Sequence, residues 1–283
     1  MKFLISDYSS SETTEPLYLN TIFNSLGCNS TIWTQNTSAF DALDIAKPDV
    51  LITHFTKISK DMLVYLRESK EIDIIINITG LNQENLKRVE SALNEFEIKP
   101  LFFFVNRYDH NLKSHKTNIN VILHGADVLF GKHGKAYSIE NAIIVNNKDQ
   151  ITPIGETYHY LSSSQNMENE ADIVMPAHKL ITLYHNYDNV IFKYFTNYLP
   201  QEFFDAGYYN GSVYFDINDR SYLDQCLVKL FGEENVCTKE NSKIYHKIKQ
   251  KHTCLHRAKS MLSQLPCKEY TDRLQSIIEE QLK

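Results

Sequence analysis

About the first hundred residues alternate short runs rich in Ile, Val, Phe and Thr with longer segments of helical period. A chain so patterned folds most simply as repeated βαβ units, because strands that are apolar on both faces need helices above and below them. The spacing predicts strands at Lys2–Ser6, Ser30–Thr34, Asp49–Phe55, Asp73–Thr79 and Leu101–Asn106, the third announced by the breaker Lys47-Pro48. Helices are expected between them. Glu15–Leu26 ends at Gly27 as a C′ glycine, Ser59-x-x-Met62 opens a run to Arg67, and Asn82–Phe96 places Leu86, Val89, Leu93 and Phe96 at three- and four-residue spacing.

After a polar stretch at Tyr108–Asn118 the pattern resumes with strands expected at Ile119–Leu123, Asn141–Val145, Thr157–Leu161 and Val213–Phe215. Helices are predicted near Lys179–Tyr187, Leu199–Tyr209, Arg220–Phe231 and Ser242–Leu265, with Thr271–Leu282 closing the chain. The expected organisation is an N-terminal doubly wound α/β domain over 1–117, a second α/β domain over 118–265, and a final helix over 266–283.

Composition narrows the function classes. The chain has 283 residues, 42% hydrophobic, with 29 Lys+Arg against 35 Asp+Glu, a formal charge of −6. That balance argues against nucleic-acid binding over the whole surface, while leaving room for a local basic stripe. The longest purely apolar stretch, Leu101–Val105, is far below the roughly 18 residues of a membrane span, and the N-terminal apolar run is too short for a signal peptide. A cytoplasmic protein is therefore expected. Cys28, Cys226, Cys237, Cys254 and Cys267 include no C-x-x-C pair, and read as reduced thiols rather than a zinc ribbon or disulfide framework.

Ligands of open parallel sheets sit beyond the carboxyl ends of the strands. That selects Asp7 and the run Ser9, Ser10, Ser11, Glu12, Thr13 and Thr14 after the first strand, His54 after the third, and Thr79-Gly80 after the fourth. Asp7 and the serines equally suit capping of the first helix, and His54 equally suits a partly buried structural histidine. Neither a P-loop nor G-x-G-x-x-G follows the first strand, and no H-E-x-x-H or G-x-S-x-G occurs; Gly131-Lys132-His133-Gly134-Lys135 has the wrong spacing for a phosphate loop and reads as surface. In the second half, Tyr198–Phe215 reads as a helix with Pro200 at its start, acids Glu202 and Asp205 along it, and a turn at Gly211 into a strand. Such acids can accept hydrogen bonds from ribose hydroxyls, or simply face solvent.

Three stretches resemble the spore-maturation CgeB-like branch of the GT-B glycosyltransferases. Val121–Phe130, with His124-Gly125-Ala126-Asp127 at its centre, is similar to that family's segment leading into the C-terminal domain. Leu199–Phe215 resembles its acidic-helix and glycine segment, and Lys251–Ala258, carrying His252-Thr253 and His256-Arg257, resembles its C-terminal "HT…HR" helix. Two departures stand out: Asp205 lies one residue further from Gly211 than the usual spacing, which makes Glu202 a rival for its role, and the usual basic pair for the diphosphate is not identifiable.

The resemblance implies an α/β GT-B fold, two Rossmann-like domains facing each other across a cleft, with no metal. It implies a glycosyltransferase that moves a sugar from a nucleotide diphosphate sugar, a UDP-sugar foremost, to an acceptor hydroxyl. Donor contacts would come from His124, Tyr198, Gln201, Glu202, Asp205 and Gly211, acceptor contacts from Ser9, Ser10, Ser11 and Glu12, and catalysis from Asp7 or His54. The Lys- and Tyr-rich style is similar to bacteriophage enzymes that add glucose or arabinose to hydroxymethylated pyrimidines in DNA, and Lys239, Lys243, Lys247, Lys249, Lys251 and Lys259 would meet the phosphates. A polysaccharide, protein or small-molecule acceptor is the alternative, as is an inactive scaffold that binds a nucleotide or partner. A receiver-like or periplasmic-binding-like α/β protein ranks last.

Overall fold

The structure, a computed structural model, describes residues 1–8, 14–34, 36–69, 71–106, 111–129, 139–144, 158–162, 171–175, 177–192, 201–209, 213–215 and 242–282. It is α/β, with two compact units. Met1–Tyr8, Glu15–Leu123 and Leu265–Arg273 form unit 1, and Ser9–Thr14, His124–Gln264 and Leu274–Lys283 form unit 2.

In unit 1 the chain runs β1 (Lys2–Ser6), α1 (Glu15–Ser25), β2 (Asn29–Trp33), α2 (Ala39–Ala46), β3 (Val50–His54), α3 (Lys60–Glu68), β4 (Asp73–Asn77), α4 (Gln83–Glu95), β5 (Phe102–Val105) and β6 (Ile119–Val121). All six strands are parallel, in the order β2-β1-β3-β4-β5-β6. Continuous apolar burial explains the arrangement: Phe102, Phe103, Phe104 and Val105 are all buried, as are Val50, Leu51 and Ile52, so both sheet faces are covered. The helices start where side-chain oxygens meet free backbone N–H groups. Ser38 accepts from Asp41 N at 3.0 Å, Ser59 from Met62 N at 3.3 Å and Asn82 from Asn85 N at 2.8 Å.

Unit 2 holds a second parallel sheet of β7 (Ile139–Ile144), β8 (Tyr158–Ser162), β9 (Ile173–Val174), β10 (Tyr187–Phe192) and β11 (Val213–Phe215), in the order β11-β10-β7-β8-β9. Its helices are α5 (Ala177–Leu180), α6 (Gln201–Tyr209), α7 (Ser242–Lys251) and α8 (Cys254–Leu262). Last in the chain comes α9 (Lys268–Leu282), whose residues divide between the units at Arg273.

Four expectations change. Ile119–Leu123, assigned from sequence to the second domain, supplies β6, which pairs with β5 and completes the first sheet. Ala39–Ala46 is a helix the periodicity did not reveal, because two turns are too short to establish a stripe. The helix expected at Lys179–Tyr187 stops at Leu180, and after a 3-10 turn at Tyr184–Asn186 the chain becomes β10, whose Val190 is fully buried. The long helix expected at Ser242–Leu265 breaks at His252-Thr253. The helix expected at Arg220–Phe231 lies outside the described residues, as does the Gly131–Lys135 run.

The break has a cause. Ala126 N donates to His252 O at 2.7 Å and Cys254 N donates to Ala126 O at 2.7 Å, a parallel bridge that takes two backbone groups out of helical bonding. Thr253 then caps α8, with its hydroxyl 2.8 Å from His256 Nδ1. The approach is so close that a Cβ on Gly125 would lie 2.5 Å from the carbonyl carbon and oxygen of Thr253. Gly125→Ala is therefore expected to cost about 1–3 kcal/mol by overpacking against backbone that has no rotamer to change. Calorimetric unfolding reads this as a lowered midpoint; an unchanged midpoint would mean the bridge is free to shift.

Candidate functional site

Unit 1 reverses its winding between β1 and β3, since β2 lies on one side of β1 while β4 and β5 follow on the far side of β3. A crevice at such a switch point is where doubly wound sheets bind ligands. Asp7 and Tyr8 leave β1 there and His54 ends β3, with the Tyr8 and His54 rings 5.8 Å apart. Four adjacent strands finish in buried polar residues along this edge: Ser6, Thr53, Asn77 and, just past β5, Asn106. Ser6 Oγ donates to Thr53 Oγ1 at 2.9 Å across the switch point, and Thr79 N donates to Asn77 Oδ1 at 2.9 Å.

His54 is half-buried. Its Nδ1 lies 2.7 Å from Thr56 Oγ1 and accepts from Thr56 N at 3.4 Å, capping a 3-10 turn at Phe55–Lys57. Burial lowers its pKa, a hydrogen bond to the Thr79 backbone opposes that, and the Lys57 charge adds to the lowering. The ring is thus a neutral imidazole already engaged with its neighbours. Asp7 anchors the same corner through its backbone, with Asp7 N donating to Trp33 O at 2.7 Å.

Unit 2 concentrates its buried polar groups around Asp127. All nine residues of α6 are buried, including Gln201, Glu202 and Asp205, each about 1% exposed. Asp127 N donates to Asp205 Oδ1 at 2.7 Å, Tyr209 Oη donates to Asp127 O at 2.8 Å, and Leu129 N donates to Asp127 Oδ1 at 3.0 Å. Thr14 Oγ1 donates to Asp127 Oδ2 at 2.9 Å, while Thr14 N donates to Gln201 Oε1 at 3.1 Å and Gln201 Nε2 returns a bond to Thr14 Oγ1. His124 and Arg257 are buried in the same unit.

Burial sets the electrostatics here. It raises the Asp205 carboxyl well above its usual value, helped by the Asp127 charge, opposed by the Asp127 N–H, and helped again by Glu202. Tyr184 is raised by burial and by Glu202 and Asp205, and the Cys254 thiol by burial and Asp127. Histidines move the other way. Burial, then the Arg257 charge, holds His124 well below the usual range; burial, then His256 and Lys251, takes His252 to about 4; burial also lowers His256.

The structure thus brings Asp7 and His54 to one edge of unit 1, and His124, Gln201, Glu202 and Asp205 into the buried part of unit 2. Tyr198, Gly211, Ser9, Ser10, Ser11 and Glu12 lie outside the described residues. Sequence reading placed Thr14 only in the polar run after the first strand, and missed its bonds to Gln201 and Asp127. A partial signal was present in His124-Gly125-Ala126-Asp127, where the glycine marks close backbone approach, but Thr14 lies 113 residues from Asp127 and nothing local names its partner. Among the described residues no group of three or more His, Cys, Asp or Glu is placed to hold a metal, and no helix is long and apolar enough to cross a membrane.

No protein-family model matches the chain, and no curated protein matches it. Among solved structures it is similar to CalG4, the calicheamicin glycosyltransferase, at 8% identity and TM-score 0.44, over 99% of this chain and 98% of that one. It is also similar to an S. aureus MnaA–UDP co-structure, at 9% identity and TM-score 0.40 over 96% and 97% of the two chains. A third is the spinosyn rhamnosyltransferase SpnG complexed with thymidine diphosphate, at 9% identity and TM-score 0.40 over 100% and 96%.

The shifts predict a two-sided pH profile. The neutral Asp205 carboxyl contributes stability that is full below the ordinary value of 3.8 and lost as pH rises through its raised folded value. The neutral histidines contribute above 6.5 and lose it as pH falls, His252 through about 4. Asp205→Asn keeps an oxygen for Asp127 N and cannot ionise. Its unfolding midpoint, scanned from acid to alkaline pH, should fall less than wild type on the alkaline side and equally on the acid side; superimposable profiles would show that Asp205 is ionised in the fold.

Proposed function

We propose that the chain is a glycosyltransferase of the GT-B kind, moving a sugar from a nucleotide diphosphate sugar, with a UDP-sugar as the first donor to test, to an acceptor hydroxyl. The observation that supports this reading is the architecture: two doubly wound parallel sheets in series, with described parts of all three resemblance-bearing segments bonded to one another around Asp127. The acceptor is assigned to the switch point of unit 1 and the donor to the α6 side of unit 2.

Asp7 is assigned the base. Its carboxylate takes the acceptor proton as that oxygen bonds to the anomeric carbon and the diphosphate leaves with the electron pair of the broken bond. His54, whose Nδ1 serves Thr56, is assigned to hold the loop and the acceptor. In a retaining reaction both residues position the acceptor only. Asp205 Oδ1 serves Asp127 N, and Glu202, its rival from the sequence, is assigned to the donor ribose, beside Gln201 and His124, with Tyr198 and Gly211 from the flanking chain.

A hydroxymethylated pyrimidine in phage DNA, carrying glucose or arabinose after transfer, is the finer acceptor reading. It draws on the lysine stripe, of which Lys251 is exposed, Lys247 and Lys249 are half-buried, and Lys259 is bonded to Gln275 Oε1. Among the described side chains three such lysines are left to meet phosphates, and modified DNA enters the test beside saccharide, protein and small-molecule acceptors.

Thermal-shift titration with UDP, dTDP, GDP and their sugars should raise the midpoint for one nucleotide family by mass action. Asp7→Asn should keep that shift while transfer falls by about 10²–10⁴. A shift without transfer to any acceptor or donor hydrolysis would point instead to a non-catalytic nucleotide-binding scaffold; no shift and no turnover would remove the glycosyltransferase reading.

A further inference from the structure

Gln201, Asp205 and Tyr209 stand at four-residue intervals on α6 and so share one of its faces. Between them they bond to two residues, Thr14 and Asp127. Gln201 is held at both ends of its amide by Thr14, Asp205 accepts from Asp127 N, and Tyr209 donates to Asp127 O. The two anchors are themselves joined, Thr14 Oγ1 to Asp127 Oδ2 at 2.9 Å, and the second Asp127 oxygen is taken by Leu129 N. A polar stripe, tied at three successive turns, therefore sets the rotation of α6 about its axis.

Thr14 is the pivot of this set. It is 1% exposed, and its hydroxyl donates one bond and accepts another. Because its N–H requires an oxygen and its Oγ1, already donating to Asp127, requires a donor, only one orientation of the Gln201 amide satisfies both. We propose that Thr14 is a positioning residue for the nucleotide-sugar donor, fixing Gln201 and, through Asp127, the α6 face that carries Glu202. The inference rests on the glycosyltransferase reading and adds to it a residue remote in sequence from every other donor residue.

The test uses the full chain with UDP, dTDP and GDP as probes in titration calorimetry, and the corresponding nucleotide sugars in steady-state assays. Thr14→Val keeps the shape and the N–H but removes the hydroxyl. It should raise Kd for the bound diphosphate and KM for its sugar at least about tenfold, equivalent to about 1.4 kcal/mol, with kcat at saturating donor within about threefold of wild type. Thr14→Ser restores the hydroxyl and should restore Kd. Thr14→Cys, with a weaker hydrogen-bonding group of similar size, should fall between, and it keeps the test open if the valine variant does not fold.

A folded Thr14→Val or Thr14→Cys with a lowered melting midpoint but wild-type Kd and KM would make Thr14 purely structural and overturn the inference alone. A wild-type chain that binds no nucleoside diphosphate and turns over no nucleotide sugar overturns both readings.

Discussion

The parallel exchange between Ala126 and the His252–Cys254 backbone is the constraint on which unit 2 depends. Two bonds of 2.7 Å hold the strands of chain together, and the bare Cα of Gly125 permits the distance. The exchange ends α7 and starts α8, because the carbonyl of His252 and the N–H of Cys254 are both spent on Ala126. It also presents Asp127, the next residue, to α6. The rotation of α6 and the break between α7 and α8 are thus consequences of one close approach.

What this costs is visible in the groups it buries. Asp127, Glu202, Asp205 and Arg257 are each no more than about 2% exposed, and charges out of water need partners to be tolerated. An α6 anchored by Leu would be easier to stabilise, but apolar side chains would leave its rotation loosely specified. Directional bonds from Gln201, Asp205 and Tyr209 admit one rotation. The raised Asp205 carboxyl fits this arrangement, since a protonated acid spares the cluster a further charge beside Asp127.

Unit 1 was largely legible because its signals are local. Strands such as Phe102–Val105 are apolar on both faces, helices open on Ser59 and Asn82, and each strand that ends in Ser, Thr or Asn marks the carboxyl edge in its own residues. The pairing of β6 was not legible, because three residues, none of them buried, carry no statement of which sheet they join. In unit 2 the decisive contacts are long-range: 78 residues separate Asp127 from Asp205, and 187 separate Thr14 from Gln201. A single sequence shows Asp205 as an acid on a helix, and burial alone separates a ribose ligand from an internal brace.

The two units therefore handle polar residues in opposite ways. At the switch point of unit 1, Asp7 and His54 are half-buried at the end of a sheet whose strands finish in small hydrogen-bonding groups, an edge able to meet a ligand directly. In unit 2 the polar groups around Asp127 are enclosed and bond to one another.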